Sequence, residues 1–171
     1  MTDATKHPAT IEPKNLLVSC DEHFVRRSGP GGQHRNKVET GVRLIHKPTG
    51  IKAEAYERRS QPQNRSMALF RLRVILALKI RTNTVDNSPT PLWRTRTSGG
   101  RISVNPRHND FPAMLAEALD AMEFFGWEPR SAANHLKVTP SQLIKLIAKE
   151  PAALGIVNRE RALRDMHPLK S

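Results

Sequence analysis

Arg26-Arg27-Ser28-Gly29-Pro30-Gly31-Gly32-Gln33-His34-Arg35-Asn36-Lys37 is the stretch on which the reading of this 171-residue chain turns. Three glycines and a proline fall within residues 28–32. No helix or strand interior accepts that density, because glycine raises the entropy cost of ordering and proline removes a backbone donor. The stretch is a loop. Upstream, Ser19 with Glu22 three positions on has the pattern of a capping box, so residues 19–25 read as a short helix, with an extended strand as the alternative. Downstream, residues 36–40 read as a turn or short helix. Residues 42–45 and 51–56 then read as two strands joined by the turn Lys47-Pro48-Thr49-Gly50, a β-hairpin. Ser60, with Pro62 in the first turn and Gln63 three positions on, starts a helix. Met67, Phe70, Val74 and Leu78 continue it at spacings of three and four, to about Arg81.

Farther out the pattern changes twice. Residues 82–109 hold Pro89, Pro91, Gly99, Gly100 and Pro106 with no sustained period, which predicts a long irregular connector made basic by Arg94, Arg96, Arg101 and Arg107. Past Asp110 and Pro112, Leu115, Ala118, Leu119, Met122 and Phe125 line one helical face, and Gly126 closes it. Two short helices follow at 131–137 and 141–150. Thr139, Pro140 and Gln142 open the second, Pro151 stops it, and a last helix runs over about 151–165. Residues 131–143 resemble a helix-turn-helix. A small bundle packing Leu136, Leu143, Ile144 and Ile147 is favoured over a nucleic-acid reader, and Phe125 and Trp127 are expected as core or interdomain anchors.

The chain carries 28 Lys and Arg against 16 Asp and Glu, a formal charge of +12 that suits a polyanionic partner. The excess is local: residues 26–81 hold 14 basic side chains against Glu39, Glu54 and Glu57, whereas residues 111–171 hold 8 basic against 7 acidic. Cys20 is the only cysteine, so no intrachain disulfide forms, and a reducing, cytoplasmic compartment is expected. Residues 1–13 lack the apolar run of a signal peptide, and no stretch approaches the roughly 20 apolar residues of a membrane span. A soluble monomer with no membrane partner is expected.

The quoted loop resembles the catalytic loop of class I peptide chain release factors and their stand-alone ribosome-rescue relatives. Val42-Arg43-Leu44-Ile45-His46 and Pro48-Thr49-Gly50-Ile51 look like that family's hairpin. Arg58 or Arg59, Ser60-Gln61 and Asn64 look like its helix start, so the resemblance spans about residues 24–72. It implies an α+β fold: a disordered leader at 1–14, a small Gly-Gly-Gln catalytic domain at 15–82, a basic irregular connector at 83–110, and a helical, helix-turn-helix-like C-terminal domain at 111–171.

The resemblance also implies a chemistry, hydrolysis of the ester joining a nascent peptide to tRNA in the peptidyl transferase centre. A protein entering that RNA-walled centre must be thin, and Gly31 and Gly32 let backbone approach RNA closely while Pro30 stiffens the entry. Gln33 orients or admits the water, and its backbone N–H helps stabilise the oxyanion. Arg27, Ser28, Gly29, Pro30, His34, Arg35, Asn36, Lys37, Arg58 and Arg59 are the candidate contacts to rRNA and tRNA. For His34 to Lys37, Arg58 and Arg59 a plain solvated polar run is the competing reading. Asn64 and Ser60 are expected to brace the helix.

No side chain competes as nucleophile: Ser28 lacks the nucleophile-elbow pattern, and Cys20 with His23 is an incidental pair, so neither metal nor cofactor is expected. The expected partners are large-subunit rRNA and peptidyl-tRNA. A glutamine methyltransferase acting on the side-chain amide (N5) of Gln33, and a protein that delivers the chain to the ribosome, are left open. The length leaves no room before Gly31 for a codon-reading domain, which favours codon-independent rescue. The alternative is a non-catalytic RNA- or DNA-binding regulator using the basic module and the helix-turn-helix.

Overall fold

The computed structural model describes residues 6–26, 40–82 and 85–170. The fold is α+β, and the chain forms two compact units, Ile11–Leu76 and Met1–Thr10 with Ala77–Ser171.

The first unit opens with helix α1 (Pro13–Val18), whose Leu16 is fully buried. Strands β1 (Cys20–Val25), β2 (Gly41–His46) and β3 (Lys52–Ala55) follow as an antiparallel sheet in that order. Residues 20–25 therefore take the extended alternative rather than the capping-box helix. Six residues paired with β2 from Cys20↔His46 to Val25↔Gly41 outweigh one local cap. Alternation places Val42 and Leu44 of β2 on one face, opposite Ala55 and Ala53 of β3, and all four are buried. The hairpin turn is closed by Gly50 N–H donating to the His46 carbonyl (2.8 Å), with Gly50 at φ 67°. His46 Nδ1 lies 2.8 Å from Thr49 Oγ1.

Helix α2 (Gln61–Lys79) starts where expected but presents a different stripe. Ala68, Leu69, Leu72, Leu76 and Ala77 are the buried apolar positions, and Met67, Phe70, Val74 and Leu78 are only half-buried. Arginines orient it: Arg65 forks onto Glu22 of β1 (2.7 and 2.9 Å), and Arg71 donates to the Glu54 carbonyl (2.7 Å) and pairs with Glu57 (2.6 Å). Fixing these three points of sheet and turn selects which side of the helix faces inward.

The second unit is built on helix α4 (Phe111–Phe124), most of whose residues are buried. It is contacted by α5 (Pro129–His135), α6 (Pro140–Ala148) and α7 (Pro151–Ala162). Gly126 closes α4 at φ 64°, as its position predicts. Leu136, Leu143, Ile147 and Trp127 are core, whereas Ile144 and Phe125 are half-buried. The expected connector is folded: helix α3 (Pro91–Thr95) leads into a short hairpin of β4 (Thr97–Ser98) and β5 (Arg101–Ile102). The reason is Trp93, fully buried, whose indole N–H donates to the Leu136 carbonyl at 2.9 Å. Residues after α7 are held as well, since Asn158 exchanges two hydrogen bonds with the Leu169 backbone (2.7 and 3.1 Å).

The expected disordered leader is structured over its described part. A 3-10 turn at Pro8–Thr10 packs against α4, and His7 is buried with Nδ1 accepting from Ala9 N–H (3.0 Å) and Nε2 donating to the Ile80 carbonyl (3.1 Å). Burial pushes the His7 pKa down from 6.5 to about 4. Acid therefore favours the unfolded chain as pH falls from about 6.5 to 4. Asp120 acts oppositely: burial raises its pKa from 3.8 to about 6, so its contribution to stability falls as pH rises across that interval. Asp120→Asn removes the second effect and leaves the first. The expected result in thermal melts is a slope of Tm against pH, between about pH 4 and 6.5, that is more positive than in the wild type.

Candidate active site

Gly31, Gly32 and Gln33 lie outside the described residues, as do Arg27, Ser28, Gly29, Pro30, His34, Arg35, Asn36 and Lys37. The frame that carries them is defined. The Val25 end of β1 and the Gly41 end of β2 are paired Cα partners, so the loop sequence leaves and re-enters one sheet at adjacent strand ends. Gly41 permits this approach, because a Cβ there would stand 2.7 Å from the Val25 carbonyl oxygen and 2.8 Å from Val25 Cγ2. A glycine opening a strand-like stretch, Gly41 before Val42-Arg43-Leu44-Ile45, was the signal available for it in the sequence.

One residue ties this rim together. Asn64, in the first turn of α2 and fully buried, donates through Nδ2 to the carbonyls of Thr40 (2.7 Å) and Arg58 (2.8 Å). Its Oδ1 accepts from Arg58 N–H (2.9 Å). The bracing role expected of Asn64 is what the geometry assigns it, and its reach is longer than a helix cap: it fixes both Thr40, next to the loop sequence, and the backbone of Arg58. The side chains of Arg58 and Arg59 are exposed. The structure thus brings one candidate RNA contact, Arg58, to the same side chain that anchors the downstream end of the loop sequence.

The basic character of this unit divides into two sets. Arg43 pairs with its cross-strand neighbour Glu54 (2.7 Å), while Arg65 and Arg71 are held by Glu22 and Glu57. Arg73 is buried. Those arginines organise sheet and helix, which leaves exposed side chains such as Arg58, Arg59 and Lys52 better placed to meet a polyanion.

Cys20 is unsuited to nucleophilic work: its thiol donates to the Leu16 carbonyl at 3.3 Å, and burial pushes its pKa up to about 11. Cys20 and His23 are three apart on a strand, so they point to opposite faces and cannot share a metal. Among the described residues no group of three or more His, Cys, Asp or Glu is placed to hold a metal ion. A cavity of about 520 Å³ in the second unit is lined by residues including His7, Thr82, Thr90, Glu117 and Asp120, and no predicted site residue lines it. Its buried carboxylates are engaged inward, Glu117 by Thr90 N–H and Oγ1–H (2.8 and 2.6 Å) and Asp120 by Thr82.

The RF-1 domain family matches residues 7–111, and the chain belongs to that family. Its similarity to peptide chain release factor 1 of Lactococcus lactis subsp. cremoris is 45% identity over 69 residues, 40% of this chain and 18% of that protein. With peptide chain release factor 1 of Streptococcus thermophilus it is 48% over 67 residues, 39% of this chain and 18% of the relative. The chain thus covers about a fifth of the length of these relatives. No helix among the described residues is long and apolar enough to cross a membrane.

Proposed function

We propose that this chain hydrolyses the peptidyl-tRNA ester in the ribosomal peptidyl transferase centre without reading a codon, acting as a rescue factor in the cytoplasm. The observation that carries the reading is Gly31-Gly32-Gln33 within a stretch matched by the RF-1 domain family, on a frame whose two ends are pinned by strand pairing and by Asn64. Gln33 positions the attacking water and its backbone N–H meets the developing oxyanion, while Gly31 and Gly32 give the backbone access. Arg27, Ser28, Gly29, His34, Arg35, Asn36, Lys37, Arg58 and Arg59 contact rRNA and tRNA, chiefly their phosphates, and Pro30 at the same surface stiffens the approach. The partners are large-subunit rRNA and peptidyl-tRNA, and methylation of Gln33 by a glutamine methyltransferase is readable by mass spectrometry of native protein.

Codon independence rests on what accompanies the matched stretch. The relatives' similarity is confined to 67 to 69 residues of this chain, and the rest is largely the compact helical unit on α4. Peptide release is expected to proceed at the same rate from complexes presenting a stop codon, a sense codon or an empty A site. Release that requires the stop codon overturns this part of the reading and leaves the hydrolase intact.

The competing regulator reading loses its main support. A recognition helix uses its N-terminal residues on base edges, yet at the start of α6 Thr139 N–H donates to the Gly100 carbonyl (3.1 Å) and Gln142 Oε1 accepts from Ile102 N–H (3.1 Å). The β4–β5 hairpin occupies that end of the helix.

A further inference from the structure

The near-neutral total of the helical region conceals a strong separation of charge. Residues 94–109 and 129–149 contain no Asp or Glu, yet they carry Arg94, Arg96, Arg101, Arg107, Arg130, Lys137, Lys145 and Lys149. These two segments meet. Gly100 lies on Thr139, Ile102 on Gln142, and the Lys149 ammonium donates to the Val104 carbonyl, so the segment from Gly100 to Val104 runs along one edge of α6.

Residues 142, 145 and 149, at spacings of three and four, share that edge. Lys145 is therefore set between the two contacts and is exposed. Arg101 is exposed between Gly100 and Ile102, both of which are engaged with α6, and Lys137 is exposed in the turn two residues before Thr139. Arg107 is exposed three residues beyond Val104.

Six acids of this unit are engaged elsewhere. Asp110 holds Arg96 (2.5 Å), Glu117 and Asp120 hold threonines, Glu128 and Glu150 cap α5 and α7, and Glu160 pairs with Arg164 (3.1 Å). Arg101, Lys137 and Lys145 face solvent along one seam with no acidic residue in either segment that forms it.

We propose that this seam between the β4–β5 hairpin and α6 is an RNA-docking surface that binds the phosphate backbone without reading sequence. Backbone recognition follows from the chemistry present. The seam offers exposed cations, it has no Phe, Trp or Tyr for base stacking between Thr95 and Asn109 or along α6, and the helix N-terminus that would read base edges is already covered. The choice of RNA over other polyanions rests on the proposed ribosomal function, but the binding itself does not require hydrolysis.

The test is fluorescence anisotropy of the full chain on a labelled RNA duplex across a salt series. Three proteins are compared: wild type, Arg101→Ala/Lys137→Ala/Lys145→Ala, and the equal-charge control Arg159→Ala/Arg164→Ala/Lys170→Ala. Removing one cation–phosphate interaction lowers the slope of log K against log salt by roughly 0.7 to 0.9. The seam variant is therefore expected to lose about 2 to 3 from the slope and at least about ten-fold in affinity near physiological salt. The control is expected to keep the wild-type slope. Lys145→Glu alone, at an exposed helix position, is expected to weaken binding in the same direction, which guards against misfolding of the triple variant. Unchanged binding by the seam variants, or equal loss in seam and control, overturns the proposal. Because no ester is present, a failure of the hydrolase reading does not alter these outcomes.

Discussion

Gln33→Ala is expected to slow single-turnover peptide release by about 100-fold, the scale of loss when a reacting group is no longer held in position. The loss is expected in the maximal rate, with the concentration of factor giving half the rate little changed. An interaction made mainly in the transition state affects chemistry more than binding, and the exposed cations remain. Gly32→Ala is expected to be at least as damaging for a different reason. A methyl group closes backbone dihedrals that glycine alone adopts and adds bulk where the chain approaches RNA. Gln33→Ala, which keeps the backbone N–H, thus probes the water, and Gly32→Ala probes access.

The second large effect is expected at Asn64. Removing its amide leaves the Thr40 and Arg58 carbonyls and the Arg58 N–H without their partner inside the fold, and Asn64 itself is fully buried. Unsatisfied buried groups cost about 1–3 kcal/mol each. The bonded backbone is only partly buried and water relieves some of it, so Asn64→Ala is expected to cost about 3 kcal/mol in all. In urea titrations the midpoint is expected to fall with the slope unchanged. Release measured under conditions where the variant stays folded is also expected to slow, because the clamp fixes Thr40 and Arg58 relative to each other. Asn64→Asp is expected to fare no better. A carboxylate still accepts from Arg58 N–H, but it has no N–H to donate and places charge against two carbonyls.

What the sequence made legible follows physical lines. The β2–β3 hairpin was readable because Val42, Leu44, Ala53 and Ala55 alternate and Gly50 supplies a left-handed turn residue. Helix α4 was readable from a long apolar period closed by Gly126. Short elements held by distant partners were not. Strand β1 exists through pairing with β2 across the loop sequence, and Ser19 with Glu22 mimics a helix start that pairing overrides. Helix α3 and the β4–β5 hairpin depend on Trp93 reaching Leu136, 43 positions away, which no local pattern encodes. The inward face of α2 differs from the periodic one because Arg65 and Arg71 are fixed by Glu22, Glu54 and Glu57, through ion pairs and a carbonyl contact that periodicity does not see.

Of the candidate site, Gly31, Gly32 and Gln33 were legible as a motif because their chemistry resides in a short contiguous run. The support was only partly so. Asn64 was readable as a brace, but its bond to Thr40 spans 24 positions, and the steric need for glycine at 41 becomes evident only when Val25 is seen beside it. The basic seam was present as two acid-free segments. It became a surface once the strand following Gly100 was found lying along α6.

The central claim is that this chain breaks the peptidyl-tRNA ester through its Gly-Gly-Gln sequence. It is tested most directly by mixing purified stalled ribosomal complexes carrying labelled peptidyl-tRNA with either the wild-type chain or Gly32→Ala and measuring free peptide over time. Release by the wild type with little or none by Gly32→Ala is the predicted result. Equal release by the two proteins, or none by either, contradicts it.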